Sequence, residues 1–190
     1  TSDYQVWFNK QVSCVNGPFS PIEKPRVSDA LDYECELAFV IGKSCRHVKA
    51  EDASSVIAGY MIANDVTVRD WQLHTPTWTI GKSFDTHGPI GPALVTPDEI
   101  EDPHNLDIRL YVNDEIRQDS NTSDMIYNCF DMIEYLSTVF TLEPGDIFAT
   151  GTPEGVGTGF DPPKFLKVGD TVRCEIEGLG AIENEVIPEQ

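Results

Sequence analysis

The chain has 190 residues, 40% hydrophobic and 24% charged, a composition that fits one globular domain, or a domain with a small appendage, able to bury a core. Its 32 acidic against 13 basic residues give a formal charge of −19, which argues against nucleic acid or an anionic membrane as partner and makes a bound cation easier to accommodate. No run is long enough to span a membrane and the polar N-terminus does not resemble a signal peptide; the five cysteines, odd in number and without a C-x-x-C pair, read as reduced thiols in a cytoplasmic-type compartment.

The opening segment carries one strand-like apolar patch at Val6, Trp7 and Phe8, and Asn16-Gly17-Pro18 turns the chain into a loop that reaches Pro25. Residues 32–42 read as a strand in which Glu34, Glu36 and Ala38 share one side while Tyr33, Cys35, Leu37, Phe39 and Ile41 share the other. Two carboxylates then stand about 7 Å apart on one surface, backed by an apolar one. Such a pair needs a cation, a shared proton or open water. A hard divalent metal is the sharpest of these answers, and a solvated strand face is the plain alternative.

Residues 50–58 read as a short helix broken at Gly59, and residues 60–65 as a buried strand ending in a carboxylate. If the polar segment that follows is helical, Asp65, Arg69 and Gln72 fall at i, i+4 and i+7 on one face; an ordinary surface acid–arginine pair has the same spacing. Lys82 lies among apolar and small residues, either as a snorkelling surface group or as a catalytic cation. Gly88-Pro89-Ile90-Gly91-Pro92 reads as a rigid turn.

Residues 108–118 read as a hairpin through Asn113-Asp114. The clearest helix follows, with Met125, Ile126, Cys129, Met132, Ile133, Leu136, Val139 and Phe140 at the helical period and Thr122 or Ser123 as cap. Asn121-Thr122-Ser123 matches a glycosylation acceptor but reads here as a helix start, and Pro144-Gly145-Asp146 stops the helix. Residues 147–150 form a strand leading into a Gly-rich loop, 151–159, able to present amides and threonine hydroxyls to an anion. That loop lacks the lysine and serine of a P-loop, which argues against ATP or GTP. Strands at 171–176 and 181–186 close the chain. Many short strands with few helices predict a mostly β, α+β architecture, curled rather than doubly wound.

Four stretches, DYECELAFVIG, AGYMIANDVTVRDWQ, GKSFDTHGPIGP and LEPGDIFATGTPEGVG, together resemble the fumarylacetoacetate hydrolase family, in order from about residue 6 to about residue 186. The resemblance implies a mixed β-roll forming a single catalytic domain over residues 1–190, a magnesium or manganese ion, and a homodimer. It places the metal ligands at Glu34, Glu36 and Asp65, turns Arg69 and Gln72 toward the substrate, sets Lys82 beside the metal as catalytic cationic support, and gives Thr152 a substrate carboxylate to hold. A hard ion held by three carboxylates keeps open positions that the carboxylate and keto oxygens of a 2-oxo acid can fill. Polarising that keto group stabilises the enolate shared by C–C hydrolysis, decarboxylation and tautomerisation.

The expectation is therefore a cytoplasmic, metal-dependent enzyme acting on a small 2-oxo or 2,4-dioxo carboxylic acid, with hydrolytic C–C cleavage first and isomerisation or oxaloacetate-type decarboxylation second. A non-catalytic, metal-stabilised domain is the alternative from another class. Many family members activate water with a histidine and an acid on a segment upstream of the first matched strand. None of His47, His74, His87 and His104 matches that motif: either the base lies on a missing upstream segment, which is the expected case, or it comes from elsewhere in the chain, or the reaction needs no activated water; His87 reads as structural.

Overall fold

The computed structural model describes residues 4–190. Short alternating runs fold into strands β1 (Val15–Asn16), β2 (Ile22–Lys24), β3 (Leu31–Asp32), β4 (Cys35–Ile41), β5 (Ile57–Asn64) and β6 (Thr67–Val68). After helix α1 (Arg69–Gln72) come β7 (Gly88–Val95), β8 (Asp107–Val112) and β9 (Glu115–Asn121). Helix α2 (Cys129–Val139) is followed by β10 (Ile147–Ala149), β11 (Thr171–Ile176) and β12 (Gly180–Pro188). One five-stranded sheet runs β1-β7-β5-β4-β10, a second runs β2-β12-β11-β8-β9, and β3 pairs with β6. The β1–β7 and β2–β12 pairings are parallel and the other pairings antiparallel, so both large sheets are mixed, as the β-roll expectation requires.

The alternation read in β4 is the alternation found. Cys35, Leu37, Phe39 and Ile41 enter the main core with Ile108, Leu110 and Val112 of β8 and Val172, Cys174 and Ile176 of β11. Each large apolar side chain buried there contributes about 2 kcal/mol of transfer free energy. The opposite face of β4 carries Glu36 and Ala38, whose partners across the ladder are Ala63 and Met61. There Ala38, Met61 and Ala63 form a second, smaller apolar cluster.

Several elements differ from the sequence reading. The 32–42 strand is interrupted at Tyr33 and Glu34, because side chains take over their backbone donors: Tyr33 N–H donates to Asp32 Oδ1 and Glu34 N–H to Asn64 Oδ1. The turn expected at 88–92 is the first half of β7. Its prolines are tolerated because β7 is flanked on one side only by the two-residue β1, and its pairing with β5 shifts register between Tyr60 and Ile62. Val6, Trp7 and Phe8 form no strand; Trp7 packs edge-on against Phe148 and Phe8 against Trp78, while Val6 is exposed. The helix at 50–58 is a 3-10 helix over Ala50–Val56, and Gly59 lies inside β5.

Helix α2 begins at Cys129, later than its apolar periodicity suggested. Asn128 caps it, with Oδ1 accepting from Phe130 and Asp131 N–H while Asp131 Oδ2 accepts from Asn128 N–H. Thr122 and Ser123 belong to a separate 3-10 turn, Thr122–Asp124, opened by Asn121. Ile126, between the two, is 72% exposed.

Candidate active site: a buried carboxylate cluster

The β4–β5 ladder builds the site. Its register pairs Cys35 with Asn64, and Asp65 N–H extends the ladder by donating to the Glu34 carbonyl at 2.9 Å. Glu34 and Asp65 are thereby set across from each other, and Glu36 follows one pleat further along β4. One oxygen from each of the three carboxylates lies within 4.8 Å of the others, and all three residues are buried.

Cations line one side of this cluster. Lys82, 1% exposed, donates from Nζ to Glu34 Oε2 at 2.8 Å and to Asp65 Oδ2 at 2.7 Å. The glycine before it is a packing requirement, since a Cβ at Gly81 would lie 2.2 Å from the Gln72 backbone N of α1. Arg69, the first residue of α1, reaches Glu34 Oε1 through Nη1 and Asp32 Oδ2 through Nε, both at 2.7 Å. Its Nη1 also donates to Gln72 Oε1 at 3.1 Å, and its Nη2 is buried without a partner. Lys10, from the segment ahead of β1, donates to Asp65 Oδ1 at 2.7 Å.

The Gly-rich loop holds the other side, and the anions its amides bind are two of the chain's own carboxylates. Gly151 N–H donates to Glu36 Oε2 at 2.7 Å. Gly157 and Thr158 N–H donate to Asp32 Oδ1 and Oδ2 at 2.7 and 2.9 Å. A Cβ on Gly157 would stand 2.6 Å from Asp32 Oδ1, so only glycine brings its amide this close. Gln118 fastens the loop: its Nε2 donates to Thr152 Oγ1 and the Pro153 carbonyl, both at 2.8 Å, and its Oε1 accepts from Cys35 N–H. Thr152 Oγ1 in turn donates to the Cys35 carbonyl at 3.0 Å.

The electrostatics divide the cluster. Burial raises the Asp65 carboxyl, but Lys10 and Lys82 outweigh it and bring its pKa below the ordinary value. Burial pulls the Lys82 ammonium down while Asp65 and Glu34 pull it up further, so it stays charged. Glu36 differs: burial first, then Asp65 and Glu34, push its carboxyl well above the ordinary value against Lys82 and the Gly151 amide. Among the described residues no lysine or arginine forms an ion pair with Glu36. Three buried hard oxygen donors, one of them lacking a counter-charge, fit a hard divalent cation.

The structure thus brings Glu34, Glu36, Asp65, Arg69 and Lys82 into one connected set, with Gln72 bonded to Arg69. Asp65 is not on the helix with Arg69 and Gln72, since α1 starts at Arg69; both residues reach Glu34 from separate elements. Thr152 sits at the loop's root with its hydroxyl proton on the Cys35 carbonyl. His87 is buried, with Nε2 at 2.9 Å from the Glu23 carbonyl and Nδ1 unpaired. Sequence reasoning missed Lys10 and Asp32. Nothing local marks Lys10, whereas Asp32, the acid that opens DYECE, was visible only as the start of a strand.

Comparison with known proteins gives the family. The family described as fumarylacetoacetate (FAA) hydrolase C-terminal matches residues 1–187. Oxaloacetate tautomerase fahd2, mitochondrial, of Xenopus laevis is 52% identical over 184 residues, 96% of this chain and 58% of that protein. The chain therefore spans little more than half of that relative's length. Among solved structures, 2-hydroxyhepta-2,4-diene-1,7-dioate isomerase from Mycobacterium marinum superposes with a TM-score of 0.87 at 41% identity, over 95% of this chain and 68% of that one. Maleylpyruvate hydrolase from Sphingobium sp. SYK-6, in complex with manganese (II) ion and pyruvate, gives 0.87 at 40%, over 98% and 66%. The mixed β-roll is thus shared with enzymes. The chain belongs to the fumarylacetoacetate hydrolase family.

Proposed function

We propose that this chain interconverts the keto and enol forms of a small 2-oxo dicarboxylic acid of the oxaloacetate type, at a magnesium or manganese ion held by Glu34, Glu36 and Asp65. The observation that carries this reading is the convergence of three buried carboxylates, one of them without a counter-charge, beside Lys82 and Arg69. Tautomerisation is placed first because the relative about half identical to the chain is named for it.

When bound, the ion supplies Lewis-acid polarisation of the substrate's keto group. Lys82, kept protonated by its two carboxylate neighbours, offsets negative charge that develops on the substrate oxygen. Arg69, braced by Asp32 and Gln72, offers its unpaired Nη2 to a substrate carboxylate. Thr152, whose hydroxyl donates to the Cys35 carbonyl, and the amides of Gly151, Gly157 and Thr158 hold the loop and the carboxylates Glu36 and Asp32 in place. C–C hydrolysis is the second reading, supported by likeness to the maleylpyruvate hydrolase.

Enol oxaloacetate, with its conjugated C=C, absorbs more strongly in the ultraviolet than its keto form, so ketonisation is followed directly, with manganese and with a chelator, against manganese alone. We expect ion-dependent acceleration by the chain without pyruvate release; pyruvate released from an acylpyruvate at a comparable rate would favour hydrolysis. No acceleration of either reaction by the manganese-loaded chain would overturn the proposal.

A second copy of the chain is proposed as partner, supported by exposed apolar side chains, among them Ile147 and Leu94, each more than 40% exposed. The five free thiols support a reducing compartment, either cytoplasm or the mitochondrial interior suggested by the frog relative's name. No helix among the described residues is long and apolar enough to cross a membrane.

A further inference from the structure

Lys10 stands at the carboxylate cluster although nothing in its local sequence singles it out. Its ammonium has three protons and meets three acceptors: Asp65 Oδ1 at 2.7 Å, the Val66 carbonyl at 3.3 Å and the Lys82 carbonyl. A lysine engaged in this way is a fixed charge rather than a proton donor to substrate. The segment around it is pinned on both sides. The Phe8 ring lies 4.9 Å from Lys82 Nζ, and Gln11 N–H donates to Ser83 Oγ at 3.0 Å. Lys10 therefore ties a carboxylate of the cluster to the backbone that carries Lys82, and so orients both.

Both oxygens of Asp65 face ammonium groups, Lys10 on Oδ1 and Lys82 on Oδ2, each at 2.7 Å. A carboxylate shared in this way donates less charge to a cation, and any cation that takes one of its oxygens is repelled by the charge on the other. Lys10 is 20% exposed at its side chain and Asp65 3%, so water screens this repulsion only in part.

We infer that Lys10 is a positioning residue that fixes Asp65 and holds down the affinity of the Glu34–Glu36–Asp65 cluster for its divalent ion, leaving that ion more strongly polarising toward substrate. The inference rests on the metal-centre reading above and extends it to a residue outside the three ligands. Removing the charge trades polarising power for affinity, so the two quantities move in opposite directions. A residue that merely packed the segment would not produce that split.

The test is a calorimetric titration of the metal-free chain with manganese alone, for the native chain and for Lys10→Met, Lys10→Gln and Lys10→Arg, with ketonisation measured at saturating manganese. Lys10→Met is expected to bind manganese about tenfold tighter while its kcat falls. Lys10→Gln, which keeps part of the polar contact, carries the same expectation should Lys10→Met fail to fold. Lys10→Arg keeps the charge and stays close to the native affinity. If the native chain takes up no manganese, the metal-centre reading fails and the inference with it. If the native chain binds but the uncharged variants bind equally or more weakly, the Lys10 inference alone is overturned.

Discussion

Glu36→Gln separates stability from function at a single atom. Glu36 is 3% exposed, accepts one hydrogen bond from Gly151 N–H and has no ion-pair partner among the described residues. One of its oxygens lies within 4.8 Å of one oxygen each of Glu34 and Asp65. At an effective dielectric of about 20, each like charge at that separation costs about 3.5 kcal/mol, and the attraction of Lys82 offsets part of the sum. Near neutral pH the native chain meets this penalty either as charge repulsion or as the work of keeping Glu36 protonated above its ordinary range; a neutral glutamine keeps the Gly151 bond and avoids both, so the metal-free chain gains up to about 3 kcal/mol. For a chain of this size that is about 6–12 °C in Tm. The sign with pH follows from the raised carboxyl: the folded state holds the Glu36 proton more tightly than the unfolded state. Stability of the native chain is therefore full below the ordinary glutamate value of 4.5 and is lost as pH rises toward the folded value. Glu36→Gln lacks this decline. Manganese at about 100 times its Kd adds about 2.7 kcal/mol to the native chain and little to the variant. Thermal melts with chelator and with manganese make the comparison. A lower Tm for the variant in chelator, or an equal gain from manganese, would refute the reasoning.

Other outcomes follow from the same geometry. Burial lowers the His87 imidazole to about 4 from 6.5, so the folded state resists its protonation; stability is full above pH 6.5 and falls by about 3 kcal/mol as pH drops toward 4. In denaturant melts across that window, His87→Gln should show a shallower fall; an unchanged slope would remove His87 as the cause. Asp32→Ala deprives Arg69 Nε and three backbone amides of their acceptor, and is expected to cost about 4 kcal/mol by urea denaturation and to raise KM more than it lowers kcat. Asn128→Ala breaks the α2 capping box and should cost about 1 kcal/mol while leaving manganese affinity untouched; altered affinity would mean α2 is coupled to the site.

The parts legible in the sequence were those set by a local repeat. The two-residue period of β4 gave both the core face and the shared side of Glu36 and Ala38, and the hairpin at Asn113 was readable because that residue takes a positive φ of 55° in the turn. The apolar period misled at α2, since Met125 and Ile126 continue it through residues that are not helical; the cap signal at Asn128 with Asp131 was the better guide. Gly and Pro at 88–92 suggested a turn because local chemistry cannot show that one flank of β7 has only a two-residue neighbour. Lys10 and Asp32 were out of reach for a related reason. Their partners lie 55 and 37 residues away, at Asp65 and Arg69, and no period links them.

The loop's grip through backbone amides makes the site sensitive to counting rather than to chemistry. Gly151 holds Glu36 and Gly157 holds Asp32, so a fixed length of loop is matched against a fixed length of strand. Side chains between the two anchors that only face outward can be exchanged while both grips persist. One residue inserted there would throw the two anchors out of step, releasing either a carboxylate of the cluster or the brace of Arg69. In this fold the count of residues in a loop is itself part of the candidate site.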